Sequence, residues 1–170
     1  EHVFRGRTVN FYRLAAAHRI EFGADVKVQA GLYDQSYGEA VDPLGQPTPA
    51  LHLDGSTTAA QVGGFVSYRW QPSGRFTVTP GVRVDHYTYT RRTHAAPRLA
   101  AAYTLTGRTS LHAAAGLYVQ SLPLVLLAQH PEHRALRNPL AVHAVFGLQH
   151  LLTENTRLTL EAYHKVYRRF

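Results

Sequence analysis

Apolar side chains recur at every second position along this chain, over stretches too long for the strands of a soluble domain. From residue 19 to residue 33 the even positions read Ile20, Phe22, Ala24, Val26, Val28, Ala30 and Leu32. The odd positions between them include Arg19, Glu21, Asp25, Lys27 and Gln29. A strand points successive side chains to opposite faces, so the segment has one apolar and one polar face. The alternation extends from about residue 19 to 37, whereas a globular strand usually runs about 5–6 residues.

The same period returns along the rest of the chain. Val62, Gly64, Val66, Tyr68 and Trp70 share one face, with Phe65 interrupting the polar side. Phe76, Val78, Pro80, Val82 and Val84 form the next stripe, then Leu99, Ala101, Tyr103 and Leu105. Leu111, Ala113, Ala115, Leu117 and Val119 follow, then Val142, Ala144, Phe146 and Leu148. Leu158, Leu160, Ala162 and Val166 close the series, and a less regular strand near 3–13 precedes it. The reading is all-β, with about eight long strands and no convincing helix.

The links between strands sort by length. Short ones lie at Ala15–His18, Gln71–Arg75, Thr106–Arg108 and Thr153–Asn155. Long ones lie at Gly38–Gly55 and Ser121–Pro139, with a modest one at Arg91–Ala95. In an antiparallel up-and-down meander alternate links emerge on the same side, so all the tight turns fall at one end. Transmembrane β-barrels have this asymmetry, and a soluble sandwich has no reason for it. Tyr68 and Trp70 just before a tight turn, and Phe76 just after it, suit an interfacial aromatic girdle. The expectation is a meander forming part of a transmembrane β-barrel. Which face meets water is not decided by the alternation itself.

Composition removes several other classes. Without Cys there is no thiolate metal site, catalytic thiol or disulfide framework. No apolar run is long enough for a transmembrane helix, and the opening residues are not expected to act as a signal peptide. The formal net charge is +7, and of the eighteen basic residues only Lys27 and Lys165 are lysine. The arginines are scattered, with no recognition helix or stacking platform, so no nucleic-acid partner is expected.

From Ala59 to Arg168 the chain resembles the barrel of TonB-dependent outer-membrane receptors. The matching stretches are 64–70 (GFVSYRW), 79–87 (TPGVRVDHY), 96–103 (APRLAAAY), 147–150 (GLQH) and 158–165 (LTLEAYHK). The last four are similar, in order, to the family's PGxRxD strand, SPRL-type strand start, GLEH-type strand end and AYYKxY strand. Residues 18–24 likewise resemble a turn-to-strand junction of the family. One departure is His130-Pro131-Glu132-His133, with Asn138-Pro139 further on, where the family often has NPxLxPE. The resemblance implies a bacterial cell outer-membrane location, contact with outer-membrane lipid, and uptake of an extracellular nutrient such as a siderophore, cobalamin, haem or glycan.

Family barrels have about 22 strands, so the resemblance implies that residues 1–170 are a partial barrel domain. The plug and energy-coupling box lie N-terminal to the barrel in the family, and coupling to the TonB complex is expected only through that absent plug. The alternatives are a small passive eight-stranded barrel or a soluble β-sandwich binding module. Phe170, in phase with Leu160 and Val166, would suit the terminal aromatic of a small barrel.

Chemistry is expected on the loops. His130 and His133 flank Glu132 in the Ser121–Pro139 loop and are the candidate ligand contacts. No further ligand sits at metal spacing, so no metal site and no cofactor are expected. Ser110 and His112 share a face, as alternate residues must, and no third member of a triad is in evident reach; an enzyme is not expected. The apolar run 122–128 is expected to fold back toward the lumen or form a short helix.

Overall fold

A computed structural model describes residues 1–43 and 45–168 of the chain. Eight strands form one antiparallel sheet in strict sequential order: β1 (His2–Ala15), β2 (His18–Tyr37), β5 (Leu51–Ser73), β6 (Phe76–Tyr87), β7 (Arg92–Thr106), β8 (Thr109–Val119), β9 (Leu140–Leu151) and β10 (Arg157–Arg168). The expected all-β meander of long strands is therefore what forms. Strands β3 (Ala40–Val41) and β4 (Pro47–Thr48) make a separate small hairpin. Phe170 lies outside the described residues.

Two boundaries differ from the sequence reading. The long link after β2 is shorter than Gly38–Gly55, because β5 starts at Leu51 and pairs with β2 as far as Tyr37. Ser56, Thr57, Thr58 and Ala59 blur the alternation there, so pairing with a well-patterned neighbour decides the strand rather than local composition. The modest link also shrinks. The turn occupies 88–91, with Arg91 in the left-handed region at φ 52°, and β7 begins at Arg92. Both long loops still lie at one end of the sheet, together with the 88–91 turn, and the other four links lie at the opposite end.

Among the described residues, helix is confined to one loop. Between β8 and β9 lie α1 (Leu124–Gln129) and a 3₁₀ turn (Pro131–Ala135). From Leu124 the apolar run forms the short helix that was one of its two expected outcomes, and the helix packs on the polar face of the sheet. Leu124 and Leu127 are buried there. Among the described residues no helix is long and apolar enough to cross a membrane, which leaves strand-built spans open.

The burial of the two faces is inverted relative to a soluble protein. On the central strands the apolar stripe is exposed: Val62 at 50%, Leu99 at 51% and Phe146 at 55%. On the polar face the residues beneath the helical loop are covered, with Asp85 at 4% and Tyr87 at 6%, while Arg69, Arg98 and Ala100 further along stay exposed. Large apolar side chains exposed along one face of strand after strand mark a surface that meets something other than water. Charged groups turned inward and hydrocarbon turned outward are the arrangement of a membrane barrel wall.

Candidate functional site

The inner face is held by charged side chains that reach across strands. Asp25, Gly63 and Asp85 occupy one row of the ladder on β2, β5 and β6. Arg83, from the neighbouring row of β6, lays its guanidinium over Gly63. It donates through Nη1 to Asp25 Oδ2 at 2.6 Å, and through Nε and Nη2 to the Asp85 carboxylate at 2.7 and 2.5 Å. A Cβ on Gly63 would collide with both the Arg83 guanidinium and the Asp85 carboxylate. Gln61 Nε2 adds a bond to Asp85 Oδ1 at 2.9 Å. Charges on a partly covered face are stable when paired and hydrogen-bonded in this way.

The arrangement recurs on the far side of the sheet. His112 on β8 and Glu161 on β10 are separated by Gly147 of β9 in the same row. His112 Nε2 and Glu161 Oε1 are 3.3 Å apart, and a Cβ on Gly147 would strike the imidazole. Ser110 faces the same side, and Glu161 supplies the acidic neighbour that the sequence did not reveal. No hydrogen bond joins Ser110 to His112 among the described residues, so the group is a cross-strand pair and not an assembled triad.

Toward the long-loop end the network passes from the sheet to the helical loop. Tyr87 and His94 meet edge to face with centroids 5.8 Å apart. His94 Nε2 donates to Asn138 Oδ1 at 3.2 Å, and Asn138 Nδ2 donates to the Gln120 carbonyl at 3.0 Å. Asn138, 1% exposed, therefore ties the base of the loop to β7. Higher up, the Tyr89 hydroxyl donates to the Leu127 carbonyl at 2.7 Å, and Arg92 Nη2 to the Ala135 carbonyl at 3.1 Å. The Arg134 guanidinium sits 5.4 Å from the Tyr89 ring centroid. These ties fold the loop over the inner face as a strap. Beneath it runs a narrow cleft lined by Gln29, Gln61, Tyr87, Thr90, Leu124 and Leu127.

The two predicted ligand-contact residues are brought together on this strap. The rings of His130 and His133 lie edge to face at 5.2 Å. His133 Nδ1 donates to the Leu126 carbonyl at 2.5 Å, which satisfies a free carbonyl in the last turn of α1. The His130 ring is exposed, and among the described residues no side-chain hydrogen bond to it is found. No group of three or more His, Asp or Glu able to hold a metal is found among the described residues. The sequence reading missed Asn138 as an anchor, and it missed the pairing of Arg83 with Asp25. Only the glycine on the charged face of β5 hinted that something must cross there.

The comparisons agree with this wall-and-loop geometry. A family model described as "TonB dependent receptor-like, beta-barrel" matches residues 3–121. No curated protein matches the chain by sequence. Among solved structures, the chain is similar to the ferric enterobactin receptor PfeA of Pseudomonas aeruginosa. The TM-score is 0.76 at 16% identity, covering 98% of this chain and 26% of that one. The outer membrane transporter YddB of Escherichia coli gives 0.68 at 14% identity, covering 96% and 25%. The FrpB iron transporter of Neisseria meningitidis gives 0.68 at 15% identity, covering 92% and 27%. The chain thus spans about a quarter of the length of the structures it matches. With the outward apolar stripe, the sorted loops and the match over residues 3–121, the chain belongs to the TonB-dependent receptor-like β-barrel family.

Proposed function

We propose that residues 1–170 form part of the wall and mouth of an outer-membrane receptor that takes up a scarce extracellular nutrient. The inverted burial carries the reading: the sheet offers hydrocarbon to a lipid phase and keeps its charges on the inner side. The strap at the long-loop end then belongs to the ligand-facing mouth. His130 and His133 are proposed as its contacts, His130 through an exposed ring and His133 as the residue that holds the ring pair in place. A siderophore, cobalamin, haem or glycan all fall within the scope of this reading. Transport would be coupled to the TonB complex through a plug, not through these strands. The wall residues bind and confine; none is assigned a chemical step.

The test is ligand binding by the full receptor that carries this segment, purified in detergent and offered a panel of the four nutrient classes. Replacing 122–137 with a short Gly-Ser link is expected to weaken capture of the cognate ligand at least tenfold while leaving the barrel folded. Unchanged affinity would remove the strap from the recognition surface.

A further inference from the structure

Histidines on the two faces of the sheet are held by different ring nitrogens. Six strands, β2 and β5–β9, have a neighbour on both sides. Among their described residues the outward histidines are His18, His52, His86 and His150. Each is bonded through Nδ1 to a hydroxyl on an adjacent strand: His18 to Tyr68, His52 to Ser36, His86 to Thr93 and His150 to Thr109. The inward His94 and His112 instead use Nε2, toward Asn138 and Glu161, and His143 stacks on Tyr118. Nδ1 lies on the Cβ side of the ring, within reach of a cross-strand neighbour, so this bond leaves Nε2 on the side away from the sheet. His2 and His164 also face outward, but on the edge strands β1 and β10, which have one neighbour each. The four bonded rings are not spread along the stripe. His18 and His150 lie at the tight-turn end, and His52 and His86 toward the long-loop end. The outward positions between them on these six strands carry no histidine.

One of the rings at the tight-turn end has a second donor beside it. His18 on β2 and Trp70 on β5 are directly in register, on strands about 4.8 Å apart. The Tyr68 ring lies nearly parallel to the His18 imidazole, at an interplanar angle of 19° and a centroid distance of 5.8 Å. We propose that His18 and Trp70 bind the phosphodiester of a glycerophospholipid at the tight-turn boundary of the outward stripe. With Tyr68 donating its hydroxyl proton to Nδ1, a neutral imidazole carries its own proton on Nε2. The indole Nε1–H is a donor only. Two such donors on adjacent strands match the oxygens of one phosphate, and an anionic acceptor strengthens both bonds. Neither donor needs a charge of its own, which suits a position bordering hydrocarbon. The occupant is a lipid because the site continues the exposed stripe of Val62 and Val66 on the face and strand of Trp70. The proposal rests on the reading of that stripe as lipid-facing. It involves neither the inner face nor the mouth, and both its strands are flanked by their neighbours in the sheet.

The experiment uses the intact receptor carrying this segment, released from mixed micelles in a native mass spectrometer so that retained lipids are counted. The micelles contain phosphatidylglycerol, phosphatidylcholine or a monoglucosyl diacylglycerol, all with the same acyl chains. His18→Asn keeps a polar atom in the place of Nδ1 and removes Nε2; it is expected to retain about one phospholipid fewer than the parent. His18→Gln carries its amide out toward the place of Nε2 and is expected to match the parent, as is His112→Asn on the inner face. Trp70→Phe removes the second donor and is expected to lower retention in the same direction as His18→Asn. The loss is expected with both phospholipids and not with the glycolipid. Equal retention by His18→Asn and the parent, the same loss with the glycolipid, or a loss confined to phosphatidylglycerol would each overturn the proposal, the last because net charge and not the phosphodiester would then be read. Retention of no lipid of any class would overturn the lipid-facing reading as well, whereas a failed His18 contrast with lipids still retained removes this site alone. Gel mobility of unheated against heated samples reports whether each variant is folded.

Discussion

Arg83 draws its two carboxylates from strands that are not neighbours of one another, and the cost of altering it follows from that geometry. Replacing it with Gln leaves Asp85, which is 4% exposed, without its cation. The expected loss is about 3 kcal/mol, read as a lower urea midpoint of the folded form. Asp25→Asn is milder, under about 1 kcal/mol, because the amide oxygen still accepts from Arg83 and Asp85 still neutralises it. Equal losses in the two variants would mean that the pairing shown is not what holds these strands. Glycine gives a sharper contrast. Gly63→Ala pushes a methyl into Arg83 and Asp85 and is expected to cost about 1–3 kcal/mol. The adjacent Gly64→Ala faces outward, with its nearest neighbour at 3.7 Å, and is expected to stay within about 0.5 kcal/mol of the parent. At this scale the sequence was least legible: the charges were visible, but which of them meet depends on register between strands 58 residues apart.

Among the elements, the eight strands were legible and the strap only in outline. Period two survives in the sequence because lipid on one side and a wet, charged interior on the other impose it at nearly every position. Where that pressure relaxes, near residues 51–61 beyond the long-loop end, the pattern fades and the boundary of β5 was misread. The apolar run 122–128 announced a buried loop, but not its anchor, because a single Asn carries no periodicity. Asn138→Ala removes both side-chain bonds at the loop base and leaves the backbone bond from Gln120 N–H to the Pro139 carbonyl. Amides 124–129 are then expected to exchange at least tenfold faster with deuterium, while those of β8 and β9 hold their protection. If the helix exchanged no faster, Tyr89 and Arg92 would suffice to hold it.

For the molecule as a whole, the inverted faces make a claim about the medium. Trp70 is the one tryptophan of the chain and lies outward, 43% exposed, close to the tight turn at 74–75. In bilayers its fluorescence is expected to be quenched more by lipids brominated near the headgroup than by those brominated near the chain ends. Quenching by aqueous iodide alone would place the stripe in water. Depth can be read from substitution too. Leu99→Arg introduces a charge on the outward face and is expected to cost about 2–4 kcal/mol if the site is near the bilayer midplane. The adjacent Ala100→Arg turns inward and is expected to be tolerated. The alternation predicted two faces from the sequence; their assignment needed the third dimension, because alternation is symmetric between a lipid-facing and a core-facing stripe.

The crossings over Gly63 and Gly147 bear on how such a sheet avoids misalignment as it forms. A slip of one residue between strands turns every side chain to the wrong face, and the medium rejects it. A slip of two keeps every face correct, so alternation offers no defence against it. Moving β5 by two positions would bring Gln61 or Phe65 into the place of Gly63, beneath the Arg83 guanidinium. The bridge from β6 to β2 then could not close. A residue with no side chain thus acts as a proofreading mark, readable only when three strands are aligned at once.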